Sequence, residues 1–137
     1  MDIRVMIIPC SGIGKPIGTV TREATYEVIE NLQPEKTDTV CLALLVSGDD
    51  ATLKKVKDNP CIALDGCAKE CAAKNIKLAG GKVETELRVL NVMKECRGMT
   101  PETVLDIGEG GSKLVDEIAR RVSAEVDRIF AERGLNK

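Results

Sequence analysis

Residues 60–74 read PCIALDGCAKECAAK, an apolar run that breaks at Asp-Gly and continues as small and charged residues at helical spacing. A strand that feeds through a short turn into a helix is the building unit of α/β folds. The run is also too apolar to leave one face in water, which predicts a strand covered on both sides. The same unit recurs along the chain. Upstream, IRVMIIP at 3–9 is a continuous branched run ending at a proline, and CSGIGKPIGTV at 10–20 is a turn-rich loop. Val20, Ala24 and Val28, flanked by Thr25, Ile29 and Leu32, then step at helical spacing up to Pro34.

DTVCLALLV at 38–46 reads as a second strand, SGDD as a turn, and ATLKKVKD at 51–58 as a short amphipathic helix stopping at Asn59-Pro60. Downstream, Val83, Thr85, Leu87 and Val89 alternate as in a strand, although the later half of GGKVETELRVLNVM at 80–93 suits a helix. After GEGGS, the positions Leu114, Ile118, Val122, Val126 and Ile129 mark a surface helix of roughly five turns at about 3.6 residues each. Ser112 is expected as its N-cap and Gly134 as its terminator. The pattern predicts one domain over residues 1–137, a three-layer α/β fold whose mostly parallel sheet of about four strands carries helices on both faces.

Composition narrows the function. The aromatics are Tyr26 and Phe130 alone, too few for a base-stacking platform, and 22 acidic residues are interspersed with 20 basic ones. Both observations argue against nucleic acid as a partner. The start MDIRVMIIPC resembles a strand more than a secretory leader, and no apolar run is long enough to span a bilayer, so no membrane partner and a cytoplasmic location are expected. In that reducing compartment the six cysteines are expected as thiols, metal ligands or redox groups rather than as a disulfide framework.

Ligands of parallel sheets collect at the carboxyl ends of the strands. Cys10 closes the first expected strand and Cys67 the third. Cys71 follows Cys67 by four residues, which on a helix places both thiols on one face, about 5–6 Å apart between Cβ atoms. Cys61 and Cys96 are expected to pack as small hydrophobes. Cys41 is undecided by pattern, in mid-strand or near a strand end. The chain has no histidine, so a tetrahedral site must be all cysteine or be completed by a carboxylate, with Asp49 and Asp65 nearest, or by water. Lys15, Lys69 and Lys74 would offset the charge of four thiolates, though each also reads as a solvated surface lysine. Gly12, Gly14, Lys15 and Gly18 could cradle an anion, but neither phosphate-loop spacing is present. Without histidine there is no Ser-His-Asp or Cys-His pair, which leaves a cysteine activated by a helix end or by a lysine as the available nucleophile.

LDGC at 64–67 followed by AKEC to Cys71, PCSGIGKPIG near the amino end, and VCLALLVSGDD in between together resemble the DGC-domain family, described as zinc-binding proteins. The resemblance runs in order from about residue 5 to residue 90. It implies metal chelation by four cysteines, here Cys10, Cys41, Cys67 and Cys71, with zinc as the metal and no assigned reaction. Some relatives carry a further cysteine in the opening loop, where this chain has Ile13, so a two-cysteine clamp within that loop is not available. Two alternatives remain open at this point. One is a thiol redox or sulfur-transfer protein using Cys67 with Cys71 or Cys10. The other is an iron–sulfur protein, since four thiolates serve a cluster as well as zinc. A protein partner is not legible.

Overall fold

A computed structural model describes residues 3–10, 15–66 and 69–134. Along the chain run β1 (Val5–Pro9), α1 (Pro16–Glu27) with a π-helical turn Val28–Leu32, β2 (Thr37–Asp38), α2 (Leu42–Ser47), α3 (Asp50–Asp58) and β3 (Pro60–Asp65). They are followed by α4 (Cys71–Leu78), β4 (Lys82–Arg88), α5 (Val89–Glu95) and α6 (Gly108–Glu132). The strands form one sheet in the order β2-β1-β3-β4, parallel throughout. This is the three-layer α/β architecture expected from the sequence.

Period-two alternation explains the three layers. Val5, Ile7, Ile62 and Leu64 point to one face, where α1, α5 and α6 cover them with Val20, Ala24, Val92, Leu114, Ile118 and Val122. Met6, Ile8, Cys61 and Ala63 point to the other, under Leu45 of α2, Val56 of α3 and Ala72, Ala73 and Ile76 of α4. Both faces of β1 and β3 are therefore buried, which is why these strands read as unbroken apolar runs.

Three sequence expectations are corrected. Of the run 38–46 only Asp38 is in a strand: pairing with β1 stops at Met6 with Asp38, and Leu42–Ser47 is helical. A short apolar run is compatible with either element, and the Leu and Ala of this one favour the helix. Ser112 does not cap α6, which begins four residues earlier at Gly108 and runs for 25 residues. GEGG is its first turn rather than a loop. A Cβ on Gly110 would stand 2.7 Å from Gly98 O and 2.8 Å from Thr100 O, so glycine is needed where the helix packs on the preceding segment. Finally, α4 starts at Cys71, after non-helical Lys69 and Glu70. The expected helix face carrying both Cys67 and Cys71 is therefore not formed by α4. Other expectations hold: β4 passes directly into α5 at Val89, and Gly134 (φ +68°) follows the end of α6.

Candidate functional site

The carboxyl ends of β1 and β3 lie side by side, with Cys10 N–H donating to Leu64 O at 3.0 Å. Thr21 of α1 fixes this end, its hydroxyl lying 3.0 Å from Cys10 O and 2.9 Å from Gly18 O. Pro16 at the start of α1 has no amide hydrogen to leave unsatisfied there. On the other side, the Thr39 hydroxyl donates to Ile7 O at 2.6 Å, carrying the chain from β2 past β1 to Cys41 at the N-cap of α2.

The segment from β3 to α4 is held by its own motif residues. Asp65 is 2% exposed and accepts from Ala72 N–H at 2.8 Å and Ala73 N–H at 3.3 Å. It thus caps α4 from outside the helix, in the place where a local N-cap would normally act. Burial pushes its carboxyl above the ordinary aspartate range, against the pull of those two amides. Gly66 is buried, and a Cβ there would meet Ile17 Cγ2 at 2.5 Å. Glu70, just before Cys71, is in the left-handed region (φ 56°, ψ 43°). Its carboxylate pairs with the Arg88 guanidinium at the end of β4, and that bond holds it below the ordinary glutamate range. Cys71 then opens α4, its carbonyl accepting from Asn75 Nδ2 at 2.8 Å.

Of the expected ligands, Cys10, Cys41 and Cys71 line one cleft of about 850 Å³ at this edge. Cys67, Gly12 and Gly14 lie outside the described residues. Cys41 is exposed, while Cys10 and Cys71 are half-buried. Among the described residues no three Cys, Asp or Glu side chains form a group able to hold a metal. The remaining described cysteines are elsewhere. Cys61 is fully buried under α3 and α4, its thiol pushed up to about 12 by burial and by the charge of Glu84. Cys96 ends α5 and packs against the opposite core.

Neither carboxylate candidate lines the cleft. Asp49 caps α3, accepting from Thr52 N–H at 3.0 Å and Thr52 Oγ1–H at 2.7 Å, and those bonds hold its pKa down. Asp65 caps α4. Lys15, Lys69 and Lys74 are exposed. Sequence reading missed Arg22, Thr25 and Tyr26, which line the cleft from α1. Their legible trace is their spacing: at positions three and four apart they share a flank of α1 beside the apolar stripe.

A family model described as the DGC domain matches residues 6–122. No curated protein and no solved structure matches the chain.

Proposed function

Because the chain belongs to the DGC-domain family, we propose that it is a zinc-binding protein in which Cys10, Cys41, Cys67 and Cys71 hold the metal at the carboxyl edge of the sheet. One observation carries this reading. The three described cysteines of that set line a single cleft, whereas Cys61 and Cys96, assigned to packing, lie outside it. The donor chemistry also fits. No carboxylate or histidine lines the cleft among the described residues, and soft thiolates suit zinc. Once bound, zinc would hold three separate chain segments together, at Cys10, at Cys41 and at Cys67 with Cys71, and add its binding energy to folding. The chain's own part is to present the thiols: Thr21 fixes the end of β1, Thr39 carries the chain past β1 toward Cys41, and Asp65 anchors the first turn of α4 behind Cys71.

The reading assigns no reaction. It takes the chain as one domain whose partner is a metal ion, with neither nucleic acid nor membrane involved, and places it in the cytoplasm. No helix among the described residues is long and apolar enough to cross a membrane. Elemental analysis of anaerobically purified protein tests the proposal. About one zinc per chain is expected, lost in Cys67→Ser/Cys71→Ser and retained in Cys96→Ser. Iron with a charge-transfer spectrum, or protein that takes up no metal and alkylates rapidly at Cys67, would replace it with the cluster or thiol-transfer reading.

A further inference from the structure

The cleft beside the thiols is much larger than a metal ion requires. About 850 Å³ falls within the range of small-molecule sites, roughly 300–1,000 Å³, and a zinc closed by four protein ligands leaves no open position that would need such space. Its walls are mainly apolar, formed by Pro9, Val40, Leu42, Val46 and the Tyr26 ring. Set into them is one ionic side chain among the described lining residues, Arg22.

Among the described residues Arg22 makes no ion pair. Its hydrogen bond there runs from Nη2 to Thr19 Oγ1 at 3.5 Å, the long limit of such a contact. The Thr19 hydroxyl is itself directed elsewhere, donating to Val104 O at 2.8 Å. By contrast, Arg88, Arg120, Arg121, Arg128 and Arg133 are each paired with glutamates. Arg22 is half-buried and lines an apolar cleft without a carboxylate, so the donors of its guanidinium beyond the long contact to Thr19 are available to a ligand, and its planar fork matches a carboxylate best.

We infer that the cleft binds a small monocarboxylate with an apolar body, its acid group on Arg22 and its body against Tyr26, Val40 and Val46. A single cation beside thiols favours one negative charge over two. Thr39, Ser47 and Asn75, also on the walls, donate within the protein to Ile7 O, Leu44 O and Cys71 O, so a second polar point on the ligand would have to donate to their oxygens. The inference rests on the reading of this cleft as the functional centre, but it does not require the metal to be zinc.

Tyr26 is the only tyrosine and the chain has no tryptophan, so intrinsic tyrosine emission reports from the cleft wall. Hexanoate and hexan-1-ol, titrated into the full chain as purified and after chelation, serve as probes with matched apolar bodies. Saturable change in Tyr26 emission is expected, with hexanoate binding about tenfold or more tighter than hexanol. Arg22→Gln should erase that preference while leaving the urea midpoint and the metal content unchanged. A wild-type protein that prefers neither probe, or shows no saturable response, overturns the inference without need of a variant. Loss of metal in Arg22→Gln also overturns it, because Arg22 then serves as counter-charge to the thiolates. Hexanoate preference in a protein that takes up no zinc keeps the carboxylate site and removes the zinc reading.

Discussion

Replacing Asp65 by alanine tests how the motif segment is built. Its side chain is 2% exposed and accepts two amide hydrogens from the first turn of α4, at 2.8 Å from Ala72 and 3.3 Å from Ala73. Both donors belong to buried residues, so alanine would leave them without the acceptor they use. Hydrogen bonds to a charged group contribute about 1.5–3 kcal/mol each, and an orphaned buried donor costs about 1–3 kcal/mol. Against this stands the desolvation of the carboxylate, large enough to raise its pKa despite the two amides. The second bond is also long. The balance predicts a net loss of about 1–3 kcal/mol, from the middle of the range for a lost helix cap to somewhat above it. Urea unfolding of the metal-free protein, followed by circular dichroism, measures it. With a slope of about 2 kcal/mol per molar, the midpoint should fall by roughly 0.5–1.5 M. Asp65→Asn keeps one acceptor and should lie between alanine and wild type. Cys71 is the first residue of α4, so on the zinc proposal the alanine variant should also bind the metal more weakly than the wild type. A change in stability below about 0.5 kcal/mol, the level of an ordinary surface substitution, would refute the cap.

Three further outcomes are expected. Gly66→Ala forces a Cβ to within 2.5 Å of Ile17 Cγ2 and should cost about 1–3 kcal/mol. Ile17→Ala in the same chain should recover part of that loss, and strict additivity in the double-mutant cycle would sink the packing explanation. Iodoacetamide at pH 8 on chelated native protein should modify exposed Cys41 and spare Cys61, whose thiol is pushed up to about 12; peptide mapping that finds both labelled at one rate would contradict this. Hydrogen bonds from Arg120 and then Arg121 hold Glu117 down at about 2, below its ordinary 4.5. A depressed folded-state value gives stability that is present above pH 4.5 and lost as pH falls through about 2. The stability gap between wild type and Glu117→Gln should therefore narrow on acidification, and a gap that widens would show the pairing to be misassigned.

The core strands were legible because burial on both faces leaves little freedom of composition. Val5 to Ile8 and Cys61 to Leu64 send alternate side chains into two separate cores, so every position must be apolar. At the edge of the sheet this constraint lapses. Only Thr37 and Asp38 pair with β1, and LALLV beyond them is apolar for a different reason: Leu45 anchors a short helix while Leu44 and Val46 stay exposed. Apolar content alone does not separate these cases. Glycine misled in a similar way, since Gly110 answers to a close approach from Gly98 and Thr100 that lies ten or more residues back in the chain. The cleft was half legible. Strand ends pointed to Cys10, but Arg22 and Tyr26 enter it from a helix flank whose neighbours only the tertiary fold supplies.

Asp65 and Gly66 of the Asp-Gly-Cys stretch carry two separate structural duties. Asp65 closes β3 and caps the helix that follows, a role set by hydrogen bonding within the protein. Gly66 lets α1 approach through Ile17, a role set by sterics. Neither needs a metal, so both should be required for stability in the metal-free chain. On the zinc proposal, Cys67 is the motif position whose replacement by serine should spare the metal-free fold and abolish metal binding. That separation would give the motif a physical meaning: Asp65 and Gly66 set how β3 meets α4 and α1, and the cysteine of the proposal would supply the ligand.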